Sequence, residues 1–219
     1  SVQLFGNVAF GHRRLSIIDL TEDGNQPMFS LDNRYCIVFN GEVYNFLELK
    51  KGLIAKGVKF KTNSDTEVVL NSYIYYGVSA FSMFNGMFAL AIYDTFKKEL
   101  ILSRDQFGIK PLYYYHDKNV FIFSSEKKAI LKDLSSNVNL NKQSLVEYIW
   151  FGNPLGDNTF YKEITEITPG NYIKIKNGVV EKHNFFNINS IQEIKITEEE
   201  AIKKTINLFE NSIKRHLIS

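Results

Sequence analysis

The sequence predicts an α+β fold, a sandwich of two stacked, mainly antiparallel sheets with helices outside. Short apolar runs separated by turn residues crowd residues 87–123. Helical spacing with capping residues appears on both sides of them. Asn177-Gly178, set between two further apolar runs, is a strong hairpin signal. At about 150 residues per domain, 219 residues amount to roughly one and a half domains.

Taken in order, residues 8–10, 15–20 and 35–39 read as strands, with turn-prone stretches at 22–25 and 32–33 between them. Phe46, Leu49, Leu53 and Ile54 then recur at helical spacing, with Asn45 placed as an N-cap and Gly57 beyond the end. Ser64 and Glu67, three apart, read as a capping box for a helix that carries Val68, Val69, Ser72 and Tyr76 and stops at Gly77. Residues 87–93 and 99–103 flank a turn, and 112–115 and 120–123 flank another. Helices are expected over 126–131 and around 142–150. Thr197 and Glu200 form a second capping box, followed by a helical face of Ala201, Ile202, Thr205, Phe209, Ile213 and Leu217. Acidic residues 198–200 at its start and basic residues 214–216 at its end suit the helix dipole. An Asn/Ile-rich stretch without clear period lies at 184–193, which suggests one domain over 1–186 and a linker with the first helix of another over 187–219.

Composition excludes several classes. The 18 Phe and 12 Tyr supply ample surface to bury, so disorder over most of the length is excluded. With 13 Gly and 4 Pro the chain is not collagen-like. A single cysteine, Cys36, excludes a disulfide scaffold and suggests a reducing, cytoplasmic setting. The net charge of +2, with lysines locally matched by acids, makes no case for nucleic acid. No apolar run approaches the ~20 residues that span a bilayer, and no signal peptide is evident.

Four strings are polar or glycine-rich beyond what a scaffold needs. In His12-Arg13-Arg14-Leu15-Ser16-Ile17-Ile18-Asp19 two guanidinium groups abut an apolar strand. They suit either a surface ion pair or bidentate capture of a carboxylate. Asn40-Gly41 reads as a tight turn, or as an amide beside an accessible N–H that could hold a developing oxyanion. Asp65, in the first turn of its helix, is either structural or a receptor for a ligand ammonium. The string from Arg104-Asp105 to Tyr113-Tyr114 reads as a loop held by local ion pairing, or as a docking surface for another domain. Cys36 sits in an apolar strand and reads as core packing. The four His show no metal spacing, and no phosphate loop occurs.

Together, and in this order, these strings closely resemble the amino-terminal half of glutamine-hydrolysing asparagine synthetases, which are class II glutamine amidotransferases. The resemblance also rests on Gly24-Asn25-Gln26-Pro27-Met28, Phe39-Asn40-Gly41-Glu42-Val43-Tyr44-Asn45, Ser64-Asp65-Thr66-Glu67-Val68, Phe84-Asn85-Gly86-Met87-Phe88-Ala89, Ser124-Ser125-Glu126 and Lys128-Ala129. It implies an N-terminal-nucleophile hydrolase fold, an α/β/β/α sandwich. It further implies that Arg14 holds the glutamine α-carboxylate and Asp65 its α-ammonium. Asn40 and the Gly41 N–H would form the oxyanion hole, Glu42 would line the pocket, and Leu15, Ser16, Ile17 and Ile18 would offer backbone groups to L-glutamine. The family passes the released ammonia to a synthetase domain, where ATP and Mg activate aspartate.

The family nucleophile is a cysteine at the mature N-terminus. Ser1, eleven residues before His12, does not match its context, so the chain is expected to be an incomplete glutaminase domain, inactive alone and without a cofactor of its own. Loss of first strands would expose a sheet edge, giving poor stability or self-association, including a homodimer. Two alternatives stay open: a catalytically dead glutamine-binding regulatory module, and an amidotransferase with another acceptor, such as a sugar.

Overall fold

The computed structural model describes residues 1–13, 24–134 and 138–217. The strand expected over 15–20 lies outside the described residues, as do Arg14, Leu15, Ser16, Ile17, Ile18 and Asp19.

Eleven strands are described. β1 (Val2–Phe5) and β2 (Val8–Gly11) form a hairpin. A six-stranded sheet is built from β3 (Met28–Phe29), β4 (Tyr35–Val43), β5 (Gly86–Asp94), β6 (Glu99–Arg104), β10 (Asn171–Lys176) and β11 (Val179–Asn184), in the order β11-β10-β6-β5-β4-β3. β7 (Tyr113–His116), β8 (Phe121–Ser124) and the short β9 (Thr165–Glu166), which no sequence signal marked, form a third sheet in the order β8-β7-β9. Every pairing is antiparallel. Asn177 and Gly178 both take positive φ between β10 and β11, as the hairpin signal required.

The six-stranded sheet is buried on both faces, and side-chain alternation decides which residue faces where. Ile37, Phe39, Phe88, Leu90, Ile92 and Ile101 pack with Val68, Val69 and Leu70 of helix α2 (Asp65–Tyr76), and with Phe81 and Phe84 of the turn that follows. Cys36, Val38, Ala89, Ala91, Leu102, Ile173 and Ile175 face the other way, against Phe10, Leu112, Tyr114 and Ile167 from the smaller sheets and their connections. This is the expected sandwich. Each fully buried large side chain contributes about 1.5–3 kcal/mol by leaving water. Helix α1 (Phe46–Ile54) lies beside α2, and α3 (Lys127–Asp133) packs on β8 and β7. Helix α4 (Lys142–Phe151) ends at Gly152 in the left-handed conformation. Helix α5 (Glu198–His216) has its expected capping box, buries no residue, and reaches the body through His216 stacked on Tyr44 and Arg215 near Glu48.

Three local expectations are corrected. Asn40-Gly41 is not a turn: β4 runs through it, pairing Asn40 with Ala89 and Gly41 with Phe88. The glycines allow this, because a Cβ on Gly41 would stand 2.1 Å from the Met87 carbonyl oxygen and one on Gly86 2.0 Å from that of Glu42. Asn45 does hold the N-cap position of α1, its carbonyl accepting from the Leu49 N–H, but its side chain makes no cap; its amide donates to the Met83 carbonyl and accepts from the Asn85 N–H, clasping the loop that leads into β5. Ser64 does cap α2, through the Thr66 N–H, but Glu67 turns away to accept from the N–H groups of Lys61 and Thr62, so the box is half made.

The Arg104-Asp105 string is a buried polar post. The Asp105 carboxylate is fully buried and accepts from the N–H groups of Phe88, Phe107, Ile109 and Lys110 at 3.0–3.1 Å. Arg104 donates to the carbonyls of Gly108, Lys110 and Ile167 and pairs with Glu166 at 2.6 Å. The loop is therefore held by ion pairing, although Arg104's partner comes from β9 and not from the loop itself. Replacing Asp105 with Ala would leave several buried N–H groups without an acceptor, so Asp105→Ala is expected to lower unfolding stability by about 3 kcal/mol, read from the urea midpoint.

Candidate functional site

The site is organised by the outer edge of β4. Antiparallel strands point alternate N–H groups to opposite sides, so 39, 41 and 43 share one edge. β3 covers that edge only at Cys36 and Ile37. Beyond it, the Phe39 N–H donates to Gln26 Oε1 at 2.6 Å and the Val43 N–H to Asp65 Oδ2 at 3.2 Å. The Gly41 N–H stands on the same edge between these two anchors. Any larger residue at 41 would push β4 off β5 and take this N–H out of line.

Asn40, the neighbour of Gly41, is exposed and lines a cleft of about 130 Å³ with Gly11, His12, Ala89, Ser124 and Ser125. A wider, more open depression of about 620 Å³ is lined by Ser1, Gly11, His12, Arg13, Asn25 and Gln26. The two adjoin at Gly11 and His12, and among the described residues they form a trough reaching from Ser124 past Asn40 to Gln26. Glu42 is half-buried, one residue beyond Gly41.

Asp65 is the first residue of α2 and is only 6 % exposed. Burial pushes its carboxyl up to about 6, a shift restrained by the N–H groups of Val43 and Thr66 and increased by the nearby Glu42 carboxylate. A buried carboxylate held by so few donors is suited to receive a cation. The Cys36 thiol is fully buried and pushed up to about 12, which leaves no thiolate at neutral pH; it packs the core, as its strand context implied. Among the described residues no group of three or more His, Cys, Asp or Glu could hold a metal ion, and no helix is long and apolar enough to cross a membrane.

Of the site residues expected from sequence, the structure brings Asn40, Gly41, Glu42 and Asp65 together at one end of β4. Arg14, Leu15, Ser16, Ile17 and Ile18 lie outside the described residues. His12, Gln26, Ser124 and Ser125 also line the trough, and no spacing signal in the sequence marks them as neighbours of Asn40.

The sequence profile of the glutamine amidotransferase domain family matches residues 2–186. Asparagine synthetase [glutamine-hydrolyzing] 1 of Bacillus subtilis is 36 % identical over 214 residues, covering 97 % of this chain and 33 % of that protein. A putative asparagine synthetase of Methanocaldococcus jannaschii is 41 % identical over 162 residues, 67 % of this chain and 31 % of its own length. The chain thus spans about a third of the curated relatives it matches. Among solved structures, the glutamine phosphoribosylpyrophosphate amidotransferase of B. subtilis superposes with a TM-score of 0.58 at 23 % identity, covering 81 % of this chain and 35 % of that one, which establishes a shared fold.

Asp65 also sets a pH signature. Its folded-state value of about 6 exceeds the ordinary 3.8, so between these values the native state holds more protons than the unfolded one. Stability accordingly falls as pH rises through that window, and the ionised Asp65 costs the unliganded protein about 1–3 kcal/mol at pH 7. Asp65→Asn should flatten this slope and raise the pH 7 melting temperature, as followed by thermal denaturation between pH 4 and 8.

Proposed function

Because the chain belongs to the glutamine amidotransferase domain family over residues 2–186, we propose that it binds L-glutamine and takes part in hydrolysing its side-chain amide to glutamate and ammonia. The observation that supports this reading most is the single edge of β4. On it the Gly41 N–H follows the exposed Asn40 and lies two residues before Val43, whose N–H donates to Asp65. A receptor for an α-ammonium and a pair of oxyanion donors are thereby held in one rigid unit.

In this reading Asp65 receives the α-ammonium and Arg14 takes the α-carboxylate, with backbone groups of Leu15, Ser16, Ile17 and Ile18 and the side chain of Glu42 completing the pocket. The Asn40 amide and the Gly41 N–H bind the oxygen of the tetrahedral intermediate. They act there because charge develops on that oxygen only as the carbonyl is attacked, so the donors favour the transition state over the bound amide. Cys36 cannot attack, being buried and protonated, so the nucleophile in this reading is a cysteine outside residues 1–219. Collapse of the intermediate breaks the C–N bond, ammonia leaves, and water releases glutamate from the acyl-cysteine. Its relatives are named as glutamine-hydrolysing asparagine synthetases; in this reading the ammonia goes to aspartate, and ATP and magnesium act in a synthetase portion of the protein. Residues 187–219 serve as the linker and first helix toward that portion.

Titration calorimetry with L-glutamine at pH 8 tests the binding half. Arg14→Ala removes a charge-assisted, two-pronged contact and is expected to weaken binding about 10–100-fold. Absence of any glutamine binding by the unsubstituted chain would refute the reading. In a complete glutamine-hydrolysing protein, Asn40→Ala is expected to lower kcat by about 10²–10³ with little change in KM.

A further inference from the structure

We propose that Gln26 is a positioning residue for the oxyanion donors, an assignment that rests on the glutamine-hydrolysis reading above. Gln26 is 6 % exposed, so its amide must be satisfied internally. It is satisfied at both ends: Oε1 accepts from the Phe39 N–H at 2.6 Å, and Nε2 donates to the Thr66 hydroxyl at 3.3 Å. Thr66 is the residue after Asp65, in the first turn of α2. The backbone carbonyl of Gln26 itself accepts from the Ser1 hydroxyl.

The consequence is a bracket. α2 is tied to the outer edge of β4 twice, on either side of Asn40-Gly41-Glu42. On one side Asp65 takes the Val43 N–H directly. On the other, Thr66 reaches the Phe39 N–H through Gln26. Among the described residues no strand covers the edge between these ties, because β3 ends its pairing at Ile37. Without Gln26 the span from Asn40 to Glu42 would keep, among the described residues, only the outer tie at Val43. The Gly41 N–H would then be free to tilt away from the trough while β4 stayed paired with β5. Glutamine suits the post because it offers an acceptor at one branch and a donor at the other, without a charge. A carboxylate there would add a second buried anion near Asp65.

Gln26 touches no reacting atom in this scheme. It acts through Phe39 on a group needed in the transition state, so its loss should appear in kcat more than in KM. The test compares glutamine hydrolysis by the complete protein carrying Gln26→Met, which keeps bulk and removes both hydrogen bonds, or Thr66→Val, which removes only the weaker one. Each variant is assayed well below its own melting temperature. Gln26→Met is expected to lower kcat at least tenfold and Thr66→Val about threefold, both with KM within threefold of the unsubstituted protein. In the 219-residue chain, amide exchange at Phe39 should accelerate at least tenfold in Gln26→Met while that of Leu102 in β6 holds. Should Gln26→Met not fold, the kcat of Thr66→Val decides. Unchanged kcat in folded variants of an active protein overturns the role of Gln26 and leaves the function reading standing. An unsubstituted complete protein that releases no ammonia from glutamine overturns the function reading itself.

Discussion

The nine-residue ladder between β4 and β5 is the constraint on which the other features depend. It is continuous through Asn40-Gly41 only because two glycines, Gly41 and Gly86, let the backbones of these strands come closer than any side chain would permit. With the ladder in register, alternation sends Ile37, Phe39, Phe88, Leu90 and Ile92 to the helix layer and Cys36, Val38, Ala89 and Ala91 to the second sheet layer. A shift of one residue would exchange these two sets and empty both cores. The same register places the N–H groups of 39, 41 and 43 on the outer edge, where the candidate site is built.

Buried polar posts hold this ladder from both sides. Asp105 takes the Phe88 N–H on the β5 side, and Phe88 is the residue paired with Gly41. Gln26 and Asp65 take N–H groups on the β4 side. Each post spends side-chain hydrogen-bonding capacity on backbone groups that a neighbouring strand would otherwise have satisfied. Among the described residues, that substitution leaves the edge uncovered by a strand without leaving a row of unpaired donors. Asp65 carries the cost: its buried carboxylate is poorly solvated until a cation arrives, the usual tension between a prepared site and a stable apo fold.

Much of the secondary structure was legible because it is local. The Asn177-Gly178 hairpin, the capping box at Thr197 and Glu200, and the stop of α2 at Gly77 each depend on residues within a turn of one another. The local rules failed at Asn40-Gly41, Asn45 and Glu67, and in each case a distant or adjoining segment won the competition. β5 captured the Asn-Gly dipeptide as strand. The Met83–Asn85 loop took the Asn45 side chain, and the backbone at Lys61 and Thr62 took Glu67.

By itself the sequence determined the class of the chain, its antiparallel sandwich, and the chemical types that a glutamine site requires: a cation for a carboxylate, an anion for an ammonium, and donors for an oxyanion. Those are properties of residue identity and order. Only the tertiary structure decided which groups meet. It set Asp65 against Val43, placed Gln26 between Phe39 and Thr66, and withdrew Cys36 into the core with its proton held. The reason is that hydrogen-bond partners far apart in the chain, and the desolvation that shifts a carboxyl or a thiol, exist only after the layers have closed over them.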